Sequence, residues 1–185
     1  MDAVDAAFEA VPRELFLPST EVDRADYDGP IAIGHGQTNS QPRTVAAMLR
    51  LLEVRTGDRV LDIGAGSGWS TALLAHLTGS TGIVVGLELE PELARWGARN
   101  VASTGMPWAS ISLAVPGVLG APGQGPYDRI LVSADARQLP QPLVELLADD
   151  GRLVVPVRGA MTLVVRRGQS LTTTHHGHYR FVPLR

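Results

Sequence analysis

Apolar positions near the start of the chain come in two helical stretches separated by a segment with no clear period. Residues 2–10 have helix-forming composition, and Val11-Pro12 ends that pattern, because proline disfavours helix in the residue before it. From Phe16 to Gln41 the chain is rich in Gly, Pro, Asp and Ser, which predicts a long irregular stretch. Val45, Met48, Leu49 and Leu52 then share one face of a helix expected over Thr44–Leu52.

After the turn Thr56-Gly57-Asp58, short apolar runs alternate with helical segments. Strands are expected at 59–63, 83–87, 111–113, 129–132 and 152–155, and helices at about 69–77, 91–103 and 140–147. Pro91 sits at a favoured first-turn position of its helix. Continuous apolar strands alternating with helices imply an α/β fold: a doubly wound, mostly parallel sheet covered on both faces. Leu163-Val164-Val165 and Tyr179-Arg180-Phe181-Val182 are expected to close it as an antiparallel strand pair. With no repeat or linker in sight, residues 1–185 read as one domain. Its parts are a helix-and-loop region (1–56), a core (57–158) and C-terminal strands (159–185).

Composition narrows this picture. The chain is 44% hydrophobic and 19% charged, as an ordinary globular protein is. A net charge of −3 gives no broad basis for nucleic-acid or membrane partners. There is no cysteine, which excludes disulfides, thiolate zinc sites and a cysteine nucleophile. The opening Met1–Asp5 is acidic where a secretory signal would be basic, and no apolar run approaches the ~20 residues of a bilayer span. A cytoplasmic monomer is the expectation.

The central chemical signal is Asp62-Ile63-Gly64-Ala65-Gly66-Ser67-Gly68, directly after the first core strand. Glycines there let a backbone approach a ligand at the carboxyl end of a sheet, although any tight strand-to-helix turn can be glycine-rich. The spacing is G-x-G-x-G, unlike the G-x-G-x-x-G of dinucleotide binders. Glu88, followed by Leu89, ends the second strand about 20 residues on, where a carboxylate can accept both hydroxyls of a ribose. Upstream, Val11–Pro18 and Ile33-Gly34-His35-Gly36-Gln37-Thr38-Asn39-Ser40-Gln41-Pro42 form two unusual stretches. Taken alone, the second reads as a turn with Ser40 capping the helix that follows. No G-x-S-x-G elbow or Ser-His-Asp set makes Ser40 a hydrolase nucleophile. His175, His176 and His178 have no acidic or thiolate neighbour and read as a hydrophilic hairpin, not a metal site.

Together these segments resemble the class I S-adenosylmethionine-dependent methyltransferases, and within them the protein-L-isoaspartate (D-aspartate) O-methyltransferases. The similarity continues through Tyr127–Val132, Gly151–Val157 and Arg180–Leu184, so it spans almost the whole chain in order. It implies a Rossmann-like fold, S-adenosyl-L-methionine as cofactor and S-adenosyl-L-homocysteine as product. The implied activity is methylation of the free carboxylate of L-isoaspartyl residues in damaged peptides and proteins, a repair reaction. The resemblance places Ser40 at the catalytic centre, with Gln37, Thr38 and Asn39 closing over the cofactor. Asp62 would lie near the cofactor's amino group, with Gly64, Ala65, Gly66, Ser67 and Gly68 along its methionine part. Glu88 would hold the ribose, with Leu89 beside it at the cofactor, and Pro116 and Gly117 would lie at the adenine. Phe181 and Val182 would border the peptide. His35 would either contact substrate or serve packing.

Some positions depart from the family pattern. Pro116 stands where relatives usually carry an Asp that reaches the adenine, and proline offers neither a carboxylate nor an N–H. Asp135 stands where they tend to be small. Two other activities therefore stay open: carboxyl methylation of a dedicated Asp-containing peptide or small molecule, and non-catalytic protein binding on the same fold.

Overall fold

A reciprocal cap starts the first helix. The Asp5 N–H donates to the Asp2 carboxylate at 2.8 Å, and the Asp2 N–H donates to the Asp5 carboxylate at 3.1 Å. This opens α1 (Ala3–Ala10) in the computed structural model, which describes residues 2–185. Met1, where the acidic opening run begins, lies outside the described residues.

The stretch expected to be irregular contains a hairpin. β1 (Ile31–Gly34) pairs antiparallel with β2 (Gln37–Asn39), and Gly34, His35 and Gly36 at its tip all have positive φ. Only Ile31 and Ile33 carry its buried apolar face, too short an alternation to stand out in sequence. α2 (Pro42–Leu52) follows at once, burying Val45, Met48, Leu49 and Leu52 as their spacing predicts. Its last carbonyls are met by guanidinium groups from the sheet. Arg152 Nε and Nη2 donate to Leu51 O at 2.9 and 2.7 Å, and Arg129 Nε to Glu53 O at 2.9 Å. The helix that follows Ser40-Gln41 is thereby fixed at its far end.

The apolar runs become β3 (Arg59–Ile63), β4 (Ile83–Glu88), β5 (Ala109–Leu113), β6 (Tyr127–Val132) and β7 (Leu147–Val157). Between them lie α3 (Trp69–Thr78), α4 (Pro91–Ser103) and the short α5 (Gln141–Glu145). β8 (Ala160–Arg167) and β9 (Ser170–His178) complete one seven-stranded sheet, in the order β5-β4-β3-β6-β7-β8-β9. Strands β3 to β7 pair in parallel and the last two are antiparallel. Alternate residues feed opposite faces. Val60, Val84, Leu131 and Val154 pack with α1, α2 and α3, whereas Leu61, Val85, Ile130 and Leu153 pack with Leu143 and Val144 of α5.

The expected C-terminal strand pair needs one correction. The partner of β8 is β9, not Tyr179–Val182. β9 is exposed along its whole length and reads Ser-Leu-Thr-Thr-Thr-His-His-Gly-His, so it shows no hydrophobic alternation. Tyr179 and Phe181 pack against the helix-side core instead, as part of a tail leaving the sheet edge. That tail returns toward β6: the Asp135 N–H donates to Val182 O at 2.7 Å, and the Leu184 N–H to Asp135 O at 2.9 Å. The Asp135 carboxylate also accepts the Gly159 N–H at 2.8 Å. A small residue there would lose this tie between the tail and the β7–β8 turn.

Candidate active site

Between β3 and β6 the strand order reverses direction, and open α/β sheets bind ligands beyond the strand ends at such a point. A cavity with about 1080 Å³ of open space, its mouth included, lies there. Its floor is made by residues at or just beyond the ends of β3, β4 and β6: Gly64 to Ser67, Glu88 with Leu89, and Ser133 with Ala134. Gln37, Thr38, Asn39 and Ser40 cover it from the hairpin side, and Val182 to Arg185 from the tail.

The Gly64–Gly68 turn is held rigidly. Gly64, Gly66 and Gly68 have φ of 78, 55 and 96°, values that a residue with a Cβ resists. The Gly64 N–H donates to Leu87 O at 2.9 Å, and the Gly66 N–H to Glu88 Oε2 at 2.8 Å. Glu88 Oε1 accepts the Glu90 N–H at 2.9 Å, so both carboxylate oxygens are oriented by backbone. Each keeps a lone pair for a further donor. Gly68 faces away from the cavity as the left-handed N-cap of α3, against α4. There Gly97 permits a close approach: a Cβ on it would lie 2.6 Å from the Gly66 carbonyl oxygen. Gly97→Ala should therefore displace the turn and weaken binding of the cofactor that the resemblance implies by about tenfold or more. Calorimetric titration with S-adenosylhomocysteine checks this, and an unchanged Kd would contradict it.

Asp62 stands behind the turn, fully buried. Its Oδ2 accepts the hydroxyls of Ser70 and Thr71, each at 2.7 Å, while its Oδ1 has no hydrogen-bond partner among the described residues. Burial pushes its pKa up to about 6, against the pull of the Thr71 and Ser70 hydroxyls and with a small addition from the Glu88 charge.

One organising residue lies in the Val11–Pro18 stretch, where the sequence assigned it no role. Arg13 is buried, and its guanidinium bonds around the hairpin on all sides. Nε donates to Asn39 Oδ1 at 2.8 Å, and Nη2 to Ser40 O at 2.9 Å and Gly29 O at 2.8 Å. Nη1 donates to Tyr27 O at 2.8 Å, and the group stacks 5.4 Å from the Trp69 ring centroid. Asn39 passes this order on, its Nδ2 donating to Ser67 Oγ at 3.2 Å. Hairpin and glycine turn are thus joined through one buried side chain.

Other candidates sit elsewhere. Ser40 does not cap α2, whose N-cap is Gln41, with no side-chain bond to the helix backbone. Pro116 and Gly117 are exposed and do not line the cavity; the neighbouring Ala114 and Val118 do. Phe181 packs against the core and not at the cavity, which the tail reaches with Val182 to Arg185. His35 faces a separate groove, its Nε2 3.0 Å from Glu92 Oε2. His175, His176 and His178 lie along exposed β9. Among the described residues no helix is long and apolar enough to cross a membrane.

A protein-L-isoaspartate(D-aspartate) O-methyltransferase family model matches residues 1–185. A protein-L-isoaspartate O-methyltransferase of Methanocella arvoryzae is 42% identical over 179 residues, covering 95% of this chain and 95% of that one. A solved protein-L-isoaspartate O-methyltransferase superposes over the full chain with a TM-score of 0.88 and 26% identity; the chain spans 62% of its length. A Plasmodium falciparum structure described as the same enzyme, in complex with S-adenosyl-L-homocysteine, gives 0.84 at 25% identity, covering 100% of this chain and 91% of that one. The chain belongs to the protein-L-isoaspartate(D-aspartate) O-methyltransferase family.

Proposed function

We propose that this protein methylates the free carboxylate of L-isoaspartyl residues in damaged peptides and proteins, using S-adenosylmethionine. The observation that carries this reading is that Ser40 and the Gly64–Ser67 turn border the same cavity. The residues present fit the cofactor. Glycines leave room for its methionine part and Glu88 offers oriented acceptors to ribose hydroxyls, while Asp62, which stands behind the turn and does not itself line the cavity, keeps an unpaired Oδ1 among the described residues for an ammonium that reaches past the turn. Ala114 and Val118 give the adenine an apolar wall in place of the contact expected from Pro116 and Gly117. When bound, S-adenosylmethionine would supply a sulfonium methyl for in-line transfer to an acceptor oxygen, the methyl–sulfur bond breaking to leave S-adenosylhomocysteine.

The chain's own task is then positioning. An acceptor carboxylate with a pKa near ~4 is already ionised at neutral pH, so no strong base is required. Ser40 orients that carboxylate, and Val45, Met48 and Leu131 line the cavity with apolar surface that disfavours water. Val182 borders the peptide. We read the chain as a single-domain cytoplasmic monomer with neither nucleic acid nor membrane as partner.

Ser40→Ala should lower kcat by about tenfold to a hundredfold and leave S-adenosylhomocysteine affinity within about twofold. Unchanged turnover would remove Ser40 from the reaction. Asp62 gives a pH signature. Its folded pKa lies above the ordinary 3.8, so its cost to stability is full above pH 6 and is relieved as pH falls toward 4. The rise from 3.8 to about 6 corresponds to about 3 kcal/mol. Cofactor binding has the opposite sign, because an ammonium favours the carboxylate. Affinity should be full above pH 6 and drop by up to about tenfold per unit below it, and Asp62→Asn should flatten that profile. Calorimetry from pH 5 to 8 reads both; a flat wild-type profile would contradict the assignment.

The activity itself is tested with labelled S-adenosylmethionine and matched peptides carrying isoAsp, Asp or no acid. Base-labile label on the isoAsp peptide alone is the expected result. Label on the Asp peptide would point to a dedicated acceptor, and cofactor binding too weak to saturate would point to a non-catalytic binding module.

A further inference from the structure

A second concavity lies on the outer side of the hairpin, between its tip and α4. Ile33 and His35 border it on one side, and Glu92, Arg95, Trp96 and Arg99 on the other. Their spacing on α4 places these four on one helical face, with the indole between two exposed arginines one turn apart. Neither Arg95 nor Arg99 is in an ion pair among the described residues. Glu92 is the acid within reach on that helix face, and it turns instead to His35, at 3.0 Å. His35 itself is held with φ of 54°, a left-handed conformation that a side chain with a Cβ seldom adopts. Two cations are therefore left facing an open groove with an aromatic floor, on a chain whose overall charge of −3 would not by itself draw an anion there.

The groove is not independent of the reaction cavity. Ile33 lines it, and Ile33 Cδ1 sits 3.3 Å from where a Cβ on Gly66 would be. The hairpin is thus a shared wall, with Ser40 bordering the reaction cavity and His35 the groove. The chain from Ser40 to His35 spans at most about 18 Å when extended, so a peptide following it needs about five residues.

We infer that this groove holds an acidic side chain of the substrate, three to six residues from the isoaspartyl position, through Arg95 and Arg99. The proposal rests on the isoaspartyl methyltransferase reading and names the peptides that this chain takes preferentially. Two forked guanidinium groups suit a carboxylate, and because they are solvent-exposed the attraction is sensitive to salt.

The test uses fluorescent isoAsp peptides in pairs, one with Glu and one with Gln at positions from three to six residues on either side. Anisotropy titration with S-adenosylhomocysteine present reads binding without requiring turnover. At least one Glu peptide should bind about fivefold tighter than its Gln twin at low salt. The difference should vanish at ~0.5 M salt and in the double variant Arg95→Gln, Arg99→Gln, which should still bind the Gln twin normally. Twins that bind alike at every position, or a preference that survives in the double variant, would overturn the proposal. Methylation of the Gln twins is followed in parallel: its absence would count against the enzyme reading alone, because the binding comparison stands without it.

Discussion

Arg13→Met is expected to lower methyl transfer by about a hundredfold and stability by about 3–5 kcal/mol, more than any other single change considered. The guanidinium does what no shorter cation can do at this position. It donates to carbonyls at Tyr27, Gly29 and Ser40 and to the Asn39 side chain, while its face lies against Trp69. Its removal leaves several buried acceptors unpaired, each costing about 1–3 kcal/mol. Burial also pulls the Arg13 pKa down to about 10, a value at which the group stays charged at neutral pH. Arg13→Lys supplies a charge but not the fork, so it should recover stability better than activity. Guanidinium ion added to Arg13→Ala should restore part of kcat, an effect that a general loss of folding would not produce. Thermal melts with kcat and KM for each variant check this; full activity in Arg13→Met would mean that the hairpin holds its shape unaided.

The second large effect is expected at Glu88. Glu88→Ala should raise the Kd for S-adenosylhomocysteine by about a hundredfold, or about 3 kcal/mol. Two losses combine in this number. Two hydroxyl donors of the ribose lose a charged acceptor, and the Gly66 and Glu90 amides lose the oxygens that now orient the turn. Glu88→Gln keeps one acceptor oxygen and should fall between the two. Calorimetry distinguishes these cases, and an Ala variant that binds as the wild type does would remove Glu88 from the ribose site.

What could be read from the sequence followed from periodicity. The run Arg59–Ile63 and the stripe Val45, Met48, Leu49, Leu52 carry strand and helix spacing on their face, and both form as expected. The hairpin at 31–39 has only two buried apolar residues, and β9 has none, so neither has a pattern to find. Tyr179–Val182 misled because its aromatic and branched residues pack as a tail. In the site, the glycine turn and Gln37–Ser40 were visible as motifs. Arg13 lay within the conspicuous Val11–Pro18 stretch, but its role was not legible, since a charged residue is ordinarily exposed and its partner Asn39 lies 26 residues away. Gly97 escaped for a related reason: a helix glycine shows its purpose only when the backbone it touches is known. Asp135 drew notice as a departure from the family, but its role in tying the tail to the β7–β8 turn depends on contacts distant in sequence.

The most direct test is a crystal structure of the protein with S-adenosylhomocysteine and an isoaspartyl peptide. Glu88 should lie within hydrogen-bond reach of the ribose hydroxyls, Asp62 Oδ1 near the amino group, and the Ser40 hydroxyl on the isoaspartyl carboxylate, which points at the sulfur. Nucleoside bound elsewhere, or a carboxylate held on the far side of the hairpin from Ser40, would contradict the account.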